Sequence, residues 1–203
     1  MLENKTIIKK IFYTPLEFSN KLVTMKLISL DHIQDLLKVA LEPEIWKYTP
    51  TKVFNEDDMV YYVYNAMMEY KDEKGAAFVI TDNQSGKIAG STRISNISLP
   101  DKRAEIGWTW LGKDFHGKGL SKASKFELLR FLFEELQFQR VEFKTDVRNL
   151  KARKSLISTG AKEDGVLRSH TYLGDNYWRD SVYYSILSKE WEEAKQNNFK
   201  EFL

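Results

Sequence analysis

Glu105-Ile106-Gly107-Trp108-Thr109-Trp110-Leu111, followed by Gly112-Lys113-Asp114-Phe115-His116-Gly117-Lys118-Gly119-Leu120-Ser121, is the stretch that decides how this chain folds. It reads as a β-strand, a glycine-bearing turn and the start of an amphipathic helix. Such a junction leaves several backbone N–H groups without partners at the positive end of a helix dipole. That is a natural seat for a phosphate or pyrophosphate, so an anionic cofactor is expected here. Beyond the turn, Ala123, Phe126, Leu129, Leu132, Phe133 and Leu136 recur at helical spacing, which predicts a helix over 120–136 with one face on a core.

Upstream, 76–81 and 87–97 read as strands, and Asp82-Asn83-Gln84-Ser85-Gly86 between them as a hairpin turn. Pro100-Asp101-Lys102 is a second turn that leads into a strand over 103–111. Asn55 is placed to cap a helix running to residue 74, with Gly75 as its stop. Pro43 and Pro50 bracket a loop that carries Trp46 and Tyr48. Asp31 is placed to cap a helix whose apolar face is Ile33, Leu36, Leu37 and Ala40, after a strand over 22–30. Downstream follow a strand over 140–147, a helix over 150–159 stopped by Gly160, strands over 165–173 and 178–187, and a helix from residue 189. Residues 1–15 read as an extension of one domain spanning 16–203. This order predicts an α+β fold, a mixed and mostly antiparallel sheet flanked by helices.

Composition narrows the function. A net charge of +2 over 203 residues gives no basic stripe, so no nucleic-acid partner is expected. There is no cysteine, which removes disulfides, thiolate metal sites and a cysteine nucleophile. Three scattered histidines, His32, His116 and His170, predict no metal centre. No apolar run approaches 18 residues and the N-terminus lacks a signal-peptide core, so no membrane partner and a cytoplasmic location are expected.

The segment from Gly112 to Gly119 matches the phosphate-loop pattern G-x-x-x-x-G-K, but Gly119 stands where that pattern needs the Ser or Thr that holds magnesium. That loop also needs a parallel sheet, which the predicted strand order does not offer.

His116-Gly117-Lys118-Gly119-Leu120-Ser121 resembles the R/Q-x-x-G-x-G/A signature of the GNAT superfamily of N-acetyltransferases, with His116 and Ser121 as departures. Asn149-Leu150-Lys151-Ala152, then Gly160-Ala161, resembles the superfamily's N-x-x-A…G-F segment. Pro43-Glu44-Ile45-Trp46, Glu105-Ile106-Gly107-Trp108, Leu167-Arg168, Arg179-Asp180-Ser181-Val182-Tyr183-Tyr184-Ser185 and Glu190-Trp191 look like the RimJ/RimL branch of ribosomal-protein acetyltransferases. The resemblance covers about residues 16 to 195.

It implies acetyl-coenzyme A as co-substrate and direct transfer to an amine, a protein N-terminus or a small molecule. The loop residues His116, Gly117, Lys118, Gly119, Leu120 and Ser121 would hold the pyrophosphate. Trp110 and Leu111 would hold the pantetheine amides through their backbone, and Asn149 the pantetheine arm. Among Lys151, Arg153 and Lys154, Arg153 is the cation chosen for the phosphates. The Thr109 N–H would bind the thioester carbonyl. Glu105 is the candidate base, since an alkyl amine must lose a proton to attack. The superfamily's proton-donating tyrosine is replaced by Leu156, which leaves Ser155 as a candidate donor and keeps open a non-catalytic coenzyme A-binding protein. Trp46, Tyr48 and His170 are the acceptor-site candidates, with His170 also a second base. Strict alternation predicts that Glu105, Gly107, Thr109 and Leu111 share one face of their strand and Ile106, Trp108 and Trp110 the other, both tryptophan side chains in the core. The oligomeric state is open, a homodimer included.

Overall fold

A computed structural model describes residues 2–174 and 176–203; residue 1 of the predicted extension and residue 175 lie outside it. The strands are β1 (Glu17–Ser19), β2 (Val23–Leu27), β3 (Gly75–Asp82), β4 (Lys87–Ser98), β5 (Arg103–Leu111), β6 (Arg140–Asp146), β7 (Lys162–Tyr172) and β8 (Trp178–Leu187). The helices are α1 (Leu2–Phe12), α2 (Ile33–Ala40), α3 (Pro43–Trp46), α4 (Glu56–Lys71), α5 (Leu120–Arg130), α6 (Leu150–Ile157) and α7 (Ser188–Asn198). The strands form one sheet in the order β1-β2-β3-β4-β5-β6-β8-β7. Every neighbouring pair is antiparallel except β5 and β6. The α+β class and the antiparallel character are as the sequence predicts.

Each face of the sheet carries its own core. On one, Ile94, Ala104, Ile106 and Leu111 pack with Ile7 and Ile11 of α1, Phe126 and Leu129 of α5 and Trp191 of α7. On the other, Ala77, Val79 and Trp110 pack with Leu36, Ala40, Trp46, Met59 and Val63 of α2 to α4. Residues 1–15 therefore include a helix that seals the first core, because Ile7, Ile11 and Phe12 present apolar side chains on one side of α1.

Local details differ from the sequence reading where a longer-range contact intervenes. α4 stops through Glu73 in a left-handed conformation (φ 57°), while Gly75 opens β3, where an added Cβ would meet the Ile94 carbonyl oxygen at 2.9 Å. α2 is entered through a 3-10 turn over Leu30–His32 whose N-cap is Ser29, with the Ser29 N–H donating to His32 Nδ1 at 3.0 Å, so Asp31 lies inside the turn and His32 stands at the N-cap of α2. The helix predicted over 120–136 changes at residue 131 into a π-helical turn, Phe131–Glu135, in which the Leu136 N–H reaches the Phe131 carbonyl at 3.0 Å. The wider turn lets Phe131, Leu132 and Phe133 all be buried.

Candidate active site

The site begins where the two parallel strands part. β5 and β6 pair only over Arg103–Glu105 with Arg140–Glu142, although β5 runs on to Leu111 and β6 to Asp146. The edge of β5 beyond Glu105 therefore borders a cleft through the sheet. A bulge shapes this edge. Arg93 pairs with Gly107 but Ser91 with Trp110, so β5 holds one extra residue, and Trp108 takes a left-handed φ of 50°.

The extra residue reverses the alternation after Gly107. Ile106 and Leu111 both enter the first core, while Trp110 enters the second. Trp108 is turned to the same side as Glu105, where it meets Arg93 and Lys144. The predicted faces are thus corrected from Trp108 onward, and Trp108 is a half-buried cleft residue rather than core. Trp110 is 7% exposed, and its indole N–H donates to the Tyr62 hydroxyl at 3.1 Å. Thr109 lies on the open edge with its Oγ1 2.8 Å from Thr92 Oγ1.

Glu105 is 2% exposed. Its Oε2 accepts from Asn96 Nδ2 at 2.8 Å and from Lys144 Nζ at 3.0 Å. Oε1 lies over Gly107, where an added Cβ would sit 3.0 Å from it. Gly107 therefore leaves room beside the carboxylate that any other residue would fill. The Lys144 ammonium also stands 5.4 Å from the Trp108 ring and 5.9 Å from that of Tyr183. Arg93, buried and paired with Glu69 at 2.6 Å, stands 5.4 Å from the Trp108 ring.

His170 belongs to the same cluster. Its ring packs edge-on to Tyr183 at 5.8 Å, and its Nδ1 lies 3.0 Å from Ser181 Oγ. Burial, then the charges of Lys144 and Arg179, lower its pKa below the ordinary histidine value, against a smaller opposite pull from Glu105. It is neutral at pH 7, and its Nε2 has no protein partner among the described residues.

Tyr48 is half-buried, its carbonyl accepting from Arg179 Nη1 at 3.2 Å and its ring 5.7 Å from the Arg148 guanidinium. Arg148 is itself held by the buried Asp146 at 2.9 Å and stacked 3.6 Å from the Tyr177 ring. Trp46 is different. It is 2% exposed, with its indole N–H on the Ala40 carbonyl at 2.7 Å and its ring 5.2 Å from Trp110. It is a core residue and walls no acceptor pocket, because its large apolar ring is covered on all sides by α2, α4 and β5.

At the other end of the cleft, the loop after β5 turns through a 3-10 segment, Lys113–Phe115, before α5. Gly117 and Gly119 both have φ of +79°, a conformation that favours glycine. Among the described residues the N–H groups of Gly117, Lys118, Gly119, Leu120 and Ser121 meet no intrachain acceptor; the first helical bonds are those of Lys122 and Ala123 to the Gly119 carbonyl. His116 anchors the loop. Its Nε2 lies 3.0 Å from the Leu111 carbonyl and its Nδ1 3.0 Å from Lys151 Nζ, and both contacts are satisfied when Nε2 donates and Nδ1 accepts. The Lys118 side chain turns away, 3.8 Å from Asp82.

Asn149 caps α6, accepting from the Ala152 N–H at 3.0 Å, which leaves its amide NH2 to donate. Arg153 is not placed for a phosphate. Its guanidinium donates to the Tyr184 hydroxyl, the Val147 carbonyl and Glu163, so it ties α6 to β6, β7 and β8. Lys151, one turn from the loop, is the cation that touches it. Ser155 is half-buried with no partner for its hydroxyl among the described residues, and Leu156 beside it packs in the first core. Sequence reasoning missed Lys144, Trp108 and Arg179: their roles come from strand pairing and the bulge, and only the cation at 144 facing a β5 carboxylate in a parallel neighbour offered a signal.

Residues 23–162 match the Acetyltransferase (GNAT) domain family. The chain is 36% identical over 110 residues to ribosomal N-acetyltransferase YdaF of Bacillus subtilis (strain 168), a name given provisionally, across 54% of this chain and 59% of that protein. It thus spans about three fifths of that relative's length. It is 26% identical over 173 residues to the uncharacterized N-acetyltransferase p20 of Bacillus licheniformis, across 83% of this chain and 94% of that one. The crystal structure of a provisionally named acetyltransferase from T. thermophilus superposes with a TM-score of 0.84 at 28% identity, covering 94% of this chain and 98% of the other. No helix among the described residues is long and apolar enough to cross a membrane, and no group of three or more potential metal ligands occurs among them. With the family matched from β2 through α6, the region that holds the loop and the splayed strands, this chain belongs to the GNAT family of acetyltransferases.

Proposed function

We propose that this protein transfers the acetyl group of acetyl-coenzyme A directly to a primary amine, in a domain spanning 16–203 with α1 as an extension seated on its core. The observation that carries this reading is the juxtaposition of a loop of unpartnered N–H groups with an open strand edge beside a carboxylate. The residues fit the co-substrate. Gly117 to Ser121 offer N–H donors and Lys151 a cation for a pyrophosphate, and Asn149 an amide for the pantetheine arm. Bound acetyl-coenzyme A supplies a thioester carbonyl open to attack. The backbone of Thr109, Trp110 and Leu111 lies along the open edge to pair with the arm and polarise that carbonyl. Glu105, held through Oε2 by Lys144 and Asn96, takes the amine's proton through Oε1, directly or by a water, as the C–N bond forms and the C–S bond breaks, and the departing thiolate takes a proton from Ser155 or from water. Tyr48, with Arg148 and Arg179 behind it, and His170 border the acceptor's approach. The RimJ/RimL resemblance and the name of the Bacillus subtilis relative support a protein N-terminus as acceptor, in the cytoplasm.

The test is calorimetric titration with acetyl-coenzyme A, followed by thiol release across a panel of amines and N-terminal peptides. Binding with release for one acceptor class supports the reading. Leu156 in the place of a proton-donating tyrosine favours a second reading, a protein that binds coenzyme A without turnover; binding with no release from any amine would support it.

Two outcomes concern the acceptor. Tyr48→Ala is expected to raise the acceptor's KM on the order of tenfold, the loss of one well-placed contact, with acetyl-coenzyme A affinity nearly unchanged. A weaker affinity for the coenzyme alone would misplace Tyr48. His170, neutral at pH 7, gains a proton as pH falls through its lowered pKa, adding a positive charge near Lys144 and Arg179. The acceptor's KM should therefore rise as pH falls below about 6.5, the unperturbed histidine value, and His170→Gln should flatten that rise. A pH profile identical in the variant would remove His170 from the acceptor site.

A further inference from the structure

Lys125 is a buried lysine with no carboxylate partner among the described residues. It is 5% exposed on α5, and its Nζ reaches back one turn to Ser121, 2.6 Å from the hydroxyl and 3.4 Å from the carbonyl. Burial alone lowers its pKa to about 8. An ammonium in such a place, without an anion, is costly, and one partner hydroxyl does not offset it.

The charges around it are matched elsewhere. On α5, Lys122 pairs with Glu201 and Glu127 with Arg130. On the strands under the helix, Lys26 pairs with Glu17, Lys118 of the loop pairs with Asp82, and Glu105 pairs with Lys144. Lys151 of α6 holds His116. Lys125 is left pointing at the first turn of α5, where the N–H groups of Gly117 to Ser121 also meet no acceptor among the described residues. Because the Ser121 oxygen accepts from Lys125, the hydroxyl hydrogen is free to donate outward.

We propose that Lys125 is a positioning residue for the polyphosphate of the co-substrate, its ammonium polarising and orienting the Ser121 hydroxyl as one more donor to the anion at the head of α5. The inference rests on the acetyl-coenzyme A reading above and adds a buried counter-charge that the loop sequence does not contain. The interaction has a sign in pH. The protonated lysine favours the anion, so affinity is full below about pH 8 and falls as the ammonium is lost above it. His116, Lys118 and Lys151, the other titratable groups at the loop, are present in every variant and so do not distinguish them.

Titration of the whole protein with acetyl-coenzyme A between about pH 6.5 and 9.5, above the second phosphate ionisation near 6, tests it. Wild type should lose about tenfold in affinity across the upper part of that range. Lys125→Met, which keeps an apolar stem and drops the charge, should bind about tenfold more weakly at pH 7 with no such fall. Lys125→Arg should hold its affinity to the top of the range. In a Ser121→Ala background, Lys125→Met should cost much less than it does alone, the mark of a coupled pair. Circular dichroism and melting curves establish that each variant is folded. If folded Lys125→Met matches wild type in affinity and pH profile, or if the two substitutions add independently, the role assigned to Lys125 is wrong while the acetyl-coenzyme A reading stands. If wild type does not bind acetyl-coenzyme A at any pH, both fall together.

Discussion

Glu105→Gln is expected to lower turnover about a hundredfold while leaving acetyl-coenzyme A affinity intact, the lower range for loss of a positioned base. The geometry sets both halves of that result. The carboxylate lies over Gly107 beside the open edge of β5, away from the loop that would hold the phosphates, so binding of the coenzyme does not depend on it. Oε2 is committed to Asn96 and Lys144, and Oε1 is the oxygen that faces the space above Gly107. Glutamine keeps the size and the bond to Asn96 and loses the basic oxygen. It also leaves Lys144 without its counter-charge, so Lys144→Met should be measured beside it: a smaller loss in that variant assigns the effect to the base rather than to the ion pair. The deficit of Glu105→Gln should be largest toward pH 6, where the acceptor amine is most fully protonated. Wild-type rates across pH in the folded variant would return Glu105 to a structural role.

Gly119→Asp should weaken acetyl-coenzyme A binding at least tenfold, about 1.4 kcal/mol or more. Two effects add. Gly119 has φ +79°, where an aspartate is tolerated only with strain, and it is the residue just before the first turn of α5. A carboxylate there would itself take up the Ser121 N–H, as a helix cap does, and repel a phosphate from the turn. The same capping contact helps the variant fold, so a melting temperature near that of wild type together with weakened binding is the expected pair of observations. Unchanged affinity in a folded variant would move the coenzyme site away from this loop.

Much of the fold is legible in the sequence because its signals are short-range. The turn at 82–86, the strand over 103–111, the strand over 178–187 and the cap by Asn55 each rest on neighbours within a few residues, and all are present. The loop's glycines are legible for the same reason: their positive φ is a local property. Trp46 is not, because a proline-bracketed loop says where a side chain starts and not how deep it goes; the chain turns through α3 and seats the ring against Trp110. Nor does sequence separate Arg153 from Lys151, which lie on one helix, since only the packing of α6 on β8 decides which of them meets Tyr184 and which meets His116.

What the sequence alone determined is the order of elements from α4 onward, the α+β class and the position of a glycine turn between β5 and α5, all consequences of periodicity, turn chemistry and glycine conformation. Tertiary structure decided the chemistry around that turn. The bulge at Trp108 reverses the facing of β5, the early parting of β5 from β6 opens the cleft, and strand register sets Lys144 against Glu105. A one-residue bulge leaves no mark in a hydrophobic pattern, yet it moves every later side chain to the opposite face. A buried lysine such as Lys125 reads in sequence as an ordinary surface charge of a helix, and only the layers packed over α5 take it out of water.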